Sequence, residues 1–295
     1  MLTIRRILVP SDCGPCGAAA YRHALPLARR FGAELHLVHA DAPTFAVEDD
    51  DPVFLPPFPP DVRVVQAEVS GEGVAEALLD YARAHDVDLA VVGTHGRRGF
   101  AHLLLGSVAE RVVREAACPV LAVHACDEDA AAEAPAVRRI LVPADFSEHS
   151  DEAARYARAL ADLHDAEVDL LHVVDATFIP DVYGVGMLWY EAMPDVVGRC
   201  RGALSETAED LLGARAGAVH VEVGSPATTV LDVAAHTGAD LIVMATHGRT
   251  GLKRFALGSV AERVVQHAPC PVFVVKSFGK SLLSEPSAPA TADAA

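Results

Sequence analysis

The sequence predicts an α/β protein built from two doubly wound open parallel sheets with helices on both faces, one in each half of the chain. Three observations predict it. The chain repeats itself: RRILVPSDCG at residues 5–14 returns as RRILVPADFS at 138–147, and THGRRGFAHLLLGSVAERVVREAACPVLAV at 94–123 returns as THGRTGLKRFALGSVAERVVQHAPCPVFVV at 246–275. Within each copy, short unbroken apolar runs alternate with amphipathic stretches, the pattern of a parallel sheet covered on both faces. The length of 295 residues is too great for one typical domain and comfortable for two.

The elements of the first copy follow in order. Ile7, Leu8 and Val9 form a strand, and residues 18–31 a helix with Ala24, Leu27, Ala28 and Phe31 on one face. Residues 35–39 and 62–69 read as the second and third strands, and Val74, Ala77, Leu78, Tyr81 and Ala82 have helical spacing. Residues 89–92 give a fourth strand, 108–117 a helix and 120–123 a last strand. The second copy repeats this order. Its offset from the first is 133 residues at the opening match and 152 at the later one, so it carries 19 more residues, which fall in TFIPDVYGVGMLWYEAMPDVVGRC after its second strand. The domains are set at 1–126 and 138–280, with an Ala-rich acidic linker at 127–137. Beyond Lys276 the small residues and prolines cannot bury a core, and a disordered tail is expected at 281–295.

Composition removes several function classes. Lys and Arg total 24 against 41 Asp and Glu, a formal charge of −17, which repels nucleic acid and anionic membranes at long range. Neither is an expected partner. A small anion remains open to it, because helix N-terminal amides bind phosphate whatever the total charge. The apolar runs are too short to cross a bilayer, and MLTIRRILVP has no apolar leader core, so a cytoplasmic location is expected. Six cysteines do not make a disulfide framework, and no ligand spacing for a metal is found. Cys118 and Cys270, each before Pro-Val, read as small buried hydrophobes.

At the end of strand four the first copy reads Gly93-Thr94-His95-Gly96, then nine residues, then Gly106-Ser107. Glycines there allow positive φ and a close approach of backbone amides to a ligand, and Gly106-Ser107 opens a helix whose free amides and dipole face the same mouth. The spacing is not that of GxxxxGK[ST]. A capping role competes, since Ser107 to Glu110 and Ser259 to Glu262 both spell the capping box; the two roles are compatible.

This G-x2-G-x9-G-S pattern, joined to ILVPSD at strand one, resembles the ATP-binding branch of the universal stress protein family, whose fold is like that of the adenine nucleotide alpha hydrolases. The resemblance covers both halves. It implies binding of ATP, ADP or AMP, with Mg2+ accompanying the nucleotide, and a role in stress-response regulation. It also implies an intramolecular pseudo-dimer through residues 120–123 and 272–275, with a further homodimer left open.

Residue by residue, the resemblance implies that Asp12 and Asp145 approach the ribose and base, helix capping being the alternative. Ala40 and Val173 match the position whose backbone meets adenine. Gly93, Gly96, Gly106 and Ser107 line the phosphates in the first copy, and Ala245, Gly248, Gly258 and Ser259 in the second. Arg97 and Arg249 pair with phosphate or stay solvated; His95 and His247 are turn residues or ligand contacts; His39 and His172 are packing residues. Ala245 departs from the pattern at the position of Gly93. If that position needs positive φ the second site is the weaker, and if it keeps strand geometry the two sites match.

Two other functions are weighed. Slow ATP hydrolysis lacks a residue assignable as general base. A dithiol oxidoreductase would use Cys13 and Cys16 of CGPC at a strand-to-helix junction, but the second copy has Phe146-Ser147-Glu148-His149 there.

Overall fold

A computed structural model describes residues 2–11, 14–41, 58–71, 73–94, 105–124, 136–175, 185–248 and 257–283. The first half contains β1 (Arg6–Ser11), α1 (Pro15–Phe31), β2 (Glu34–Asp41), β3 (Val64–Ser70), α2 (Val74–Ala84), β4 (Leu89–Gly93), α3 (Ser107–Glu115) and β5 (Val120–Val123). The second contains β6 (Arg139–Pro143), α4 (Glu148–His164), β7 (Glu167–Asp175), α5 (Val185–Leu211), β8 (Ala216–Gly224), α6 (Pro226–Thr237), β9 (Leu241–Ala245), α7 (Ser259–His267) and β10 (Val272–Val275).

The two expected sheets are fused. One ten-stranded sheet runs β3-β2-β1-β4-β5-β10-β9-β6-β7-β8. Each half is parallel, and the halves meet antiparallel where Phe273 pairs with Leu121 and Val274 with Val120. The pairing joins what would otherwise be two exposed edges, and it makes the chain a pseudo-dimer with itself. Alternation along the strands feeds two cores. Ile7, Val9, Ile140 and Val142 face the side of α1 and α4, while Leu8 and Leu141 face the side of α2, α3, α6 and α7; all six are at most 1% exposed.

The extra residues of the second copy include much of α5, whose Leu204 and Ala208 are buried at helical spacing against the sheet, as is Leu212 just past its end. The corresponding stretch of the first copy, 42–57, lies outside the described residues.

The chain beyond Lys276 differs from expectation. It stays on the molecule as far as Leu283 and crosses back onto the first half. Lys280 N donates to Ala117 O at 2.7 Å, Lys280 Nζ pairs with Asp86 Oδ1 at 2.8 Å and Asp88 Oδ1 at 2.5 Å, and Thr3 N donates to Leu282 O at 2.9 Å. Leu283 makes an antiparallel bridge with Leu2, and Leu282 is 2% exposed. Gly279 turns this strap at φ +90°, where a β-carbon would collide with the carbonyl of Ala117. Residues 284–295, most of the expected tail, lie outside the described residues.

Candidate functional site

In a doubly wound sheet, the mouth between strand ends lies where the strand order reverses. Here that is between β1 and β4 in one half and between β6 and β9 in the other. Among the described residues the two mouths are built alike. Thr94 and Thr246, buried after β4 and β9, receive the chain from two directions. Thr94 N donates to Val123 O at 2.9 Å and Thr94 O accepts from Gly106 N at 2.7 Å; the matching bonds in the second half, Thr246 N to Val275 O and Gly258 N to Thr246 O, are 3.0 and 2.9 Å. The start of α3 or α7 is thereby tied to the end of its strand. Sequence reasoning passed over both threonines, although each stands in the repeated THG.

The helix starts differ from the capping-box expectation. Gly106 and Gly258 are the N-cap residues, with φ/ψ of −62°/140° and −62°/144°, and no side chain caps either helix. Ser107 and Ser259 are first-turn residues, exposed, with hydroxyls outside the cap. The first helical bonds are Glu110 N to Gly106 O and Glu262 N to Gly258 O. The amides of the first turn therefore remain unclaimed by the helix and carry the positive end of its dipole.

The glycines also serve differently from expectation. Neither Gly93 nor Gly106, Gly248 or Gly258 has positive φ. Gly93 keeps strand geometry and is required by packing: a β-carbon there would lie 2.6 Å from Cys16 O and 2.8 Å from Cys16 Cβ, in the first turn of α1. Ala245 likewise keeps strand geometry in β9, so its methyl group carries no backbone strain there. At Gly258 a β-carbon would press on Thr246 O at 3.1 Å, and at Gly248 it would collide with Asp145 Oδ2. Asp145 and Gly248 thus face one another across the second mouth.

Asp145 does not cap α4 directly. Its Oδ1 accepts from Ser147 N at 3.1 Å and Ser147 Oγ at 2.5 Å, and Ser147 is the N-cap, accepting from Ser150 N. One carboxylate oxygen organises the turn while the other faces Gly248. Ala40 and Val173 lie in β2 and β7, paired with Val69 and Glu222. Just before them, His39 Nδ1 and His172 Nδ1 each make a 2.8 Å hydrogen bond to the carbonyl at the end of the neighbouring strand, Ser11 O and Ala144 O. These histidines hold the strand ends from which Asp12 and Asp145 follow, a positioning role beyond simple packing.

His247 is anchored through one ring nitrogen. It is 6% exposed, and its Nδ1 lies 3.0 Å from Thr246 Oγ1 and 3.1 Å from Ser277 Oγ, at the root of the strap. Asp12, Cys13, His95, Gly96, Arg97 and Arg249 lie outside the described residues. Cys16 is 8% exposed beneath Gly93. Burial pushes the Cys118 thiol up to about 11 and Cys270 up to about 12, so both are inert small hydrophobes. Among the described residues no group of acidic, His or Cys side chains could hold a metal ion, and no helix is long and apolar enough to cross a membrane.

The fold and the described parts of its two mouths define a tandem α/β protein whose halves each present a helix start tied to the carboxyl end of a strand in a parallel sheet. The chain belongs to the universal stress protein family, whose sequence model matches residues 3–55, 58–124 and 136–276. A universal stress protein of Mycolicibacterium smegmatis is 32% identical over 224 residues, 72% of this chain and 69% of that protein. Universal stress protein MJ0531 of Methanocaldococcus jannaschii is 39% identical over 143 residues, 47% of this chain and 82% of that protein. A crystal structure of a universal stress protein from Archaeoglobus fulgidus has the same fold, with a TM-score of 0.60, 21% identity and coverage of 92% of this chain and 98% of that one.

Proposed function

We propose that each half binds an adenine nucleotide, ATP above all, and that the chain is a cytoplasmic stress-response regulator that reads nucleotide occupancy. The observation that carries the reading is the second mouth, where Asp145 Oδ2 faces Gly248 with no room for a β-carbon and the open first turn of α7 lies tied to the same loop. A carboxylate accepts from ribose hydroxyls, and unclaimed amides at a helix start bind phosphate oxygens. The donor set therefore suits a nucleotide. Gly258 and Ser259 with Gly248 would hold phosphates, Asp145 the ribose and Val173 the base through its backbone; in the first half Gly106, Ser107, Asp12 and Ala40 would do the same. Mg2+ would enter with the phosphates.

The direct test is mass spectrometry of small molecules released on denaturing the purified protein, followed by calorimetric titration with ATP. Gly106→Val and Gly258→Val should each remove one site, because a β-branched side chain blocks the amide approach; the Gly258 variant should also melt lower, since its β-carbon presses on Thr246 O. Full stoichiometry in both variants would remove the helix starts from the reading.

A further inference from the structure

Phe146 is held in a conformation its residue type resists. Its φ is +61°, in the left-handed region that bulky residues rarely enter. The other described non-glycine residues with positive φ are Asp86 and Asp165, aspartates at or just past helix C-termini, where residue type and place both favour it. The turn itself needs the left-handed step, since it brings Ser147 back to Asp145 and onto the N-cap of α4. Glycine would make that step with less strain.

Burial does not account for the aromatic ring either. Phe146 is 39% exposed and belongs to neither core. Its ring lies on the imidazole of His172, with centroids 4.4 Å apart and planes at 43°, and that imidazole is fixed by its bond to Ala144 O. The pair stands on the rim between Asp145 and Val173. Strain kept at an exposed aromatic on the lip of a ligand mouth points to function.

We propose that Phe146, backed by His172, is a stacking platform for the purine base in the second site, and that the first site, with Cys13 at the matching position, lacks it. The inference rests on the nucleotide reading above and deepens it. Phosphate and ribose gain little from a phenyl face, whereas every base has an aromatic face that stacks on one. The second site then binds base-bearing ligands more tightly, although it is the copy that departs from the glycine pattern.

The test compares ATP with inorganic tripolyphosphate, which has no base, on the full chain and on Phe146→Gly and Phe146→Trp. Phe146→Gly is expected to weaken ATP at one of the two sites about tenfold, to leave tripolyphosphate unchanged and to melt at the parent's temperature or above it. Phe146→Trp is expected to keep ATP affinity and to add an indole emission that ATP quenches and tripolyphosphate does not. Unchanged ATP binding by Phe146→Gly overturns the platform alone, as does a lower melting temperature with equal weakening of both ligands, which would make the ring structural. A parent that binds no adenine nucleotide overturns the nucleotide reading and the platform with it.

Discussion

Asp88 and Asp240 occupy the same place in the two copies before β4 and β9, the first buried and the second partly exposed, and each accepts two backbone amides through Oδ2: Arg5 N and Arg6 N at 2.7 and 2.8 Å, Arg138 N and Arg139 N at 2.8 and 2.9 Å. Each clamps the start of its domain's first strand. Asp88 alone also holds Lys280 of the strap. Hydrogen bonds to a charged group contribute about 1.5–3 kcal/mol each, so Asp240→Ala should lower stability by about 2–3 kcal/mol and Asp88→Ala by more, read in urea melts. Equal losses would mean that the Lys280 contact carries no stability. The aspartates were visible in the sequence, in DLAVVG and DLIVMA, but nothing local shows that their partners lie 83 or 102 residues away. Gly93 was legible as a motif residue, with a φ requirement and strand geometry both left open, because the contact that demands a glycine is the first turn of α1 packed against it, far away in sequence. Gly93→Ala should therefore act on folding: overpacking of this kind costs about 1–3 kcal/mol, and the variant should melt lower whether or not ATP is present. A loss of ATP affinity with unchanged stability would return Gly93 to the ligand.

At the level of elements, periodicity and repetition placed the strands and most helices, because each buries a face that leaves a 2- or 3.6-residue trace. The helix starts at α3 and α7 were misplaced by one residue, since S-x-x-E spells a capping box wherever it stands, and here the extended glycine before it takes the N-cap. The strap was illegible for a different reason. Leu282 and Leu283 form an isolated apolar pair among Ser, Pro and Ala, and a single contact segment has no period to detect. Its site is nevertheless made by distant parts: Tyr156 OH accepts from Leu282 N at 2.6 Å and lies 3.1 Å from Ser281 Oγ. Lys276, at the strap's root, is buried, donates to Val113 O across the seam and has its ammonium pushed down to about 8 by that burial. Leu282→Ala removes a buried leucine from this arrangement, at a cost of about 2–5 kcal/mol. Amide hydrogen exchange should then rise at Leu2 and Thr3 as well as at 281–283, since Thr3 N donates to Leu282 O. Exchange confined to the strap would show that it does not brace the first domain.

The whole molecule depends on a seam that neither half completes alone. Beside the β5–β10 pairing, α1 and α4 approach each other over a cavity lined by His23, His164, Leu121, Phe273 and Leu282. Burial, with Arg22 adding to it, pushes the His23 imidazole down from 6.5 to about 4, and burial, with Arg30 adding to it, lowers His164 as well. Both are depressed bases, so their protonated forms are favoured in the unfolded chain. As pH falls below 6.5 the unfolded state takes up protons that the folded state refuses, and stability drops until the folded His23 also titrates near pH 4. His23 alone sets a loss on the order of 2–3 kcal/mol across that window, and the loss should be concentrated at the seam between domains. Denaturant melts from about pH 7 down to about pH 4 should show stability rising with pH through this interval. His23→Leu should flatten the slope without removing it, because His164 still contributes. A parent whose stability is level between those limits would mean that the seam opens to water and leaves both imidazoles with ordinary proton affinity.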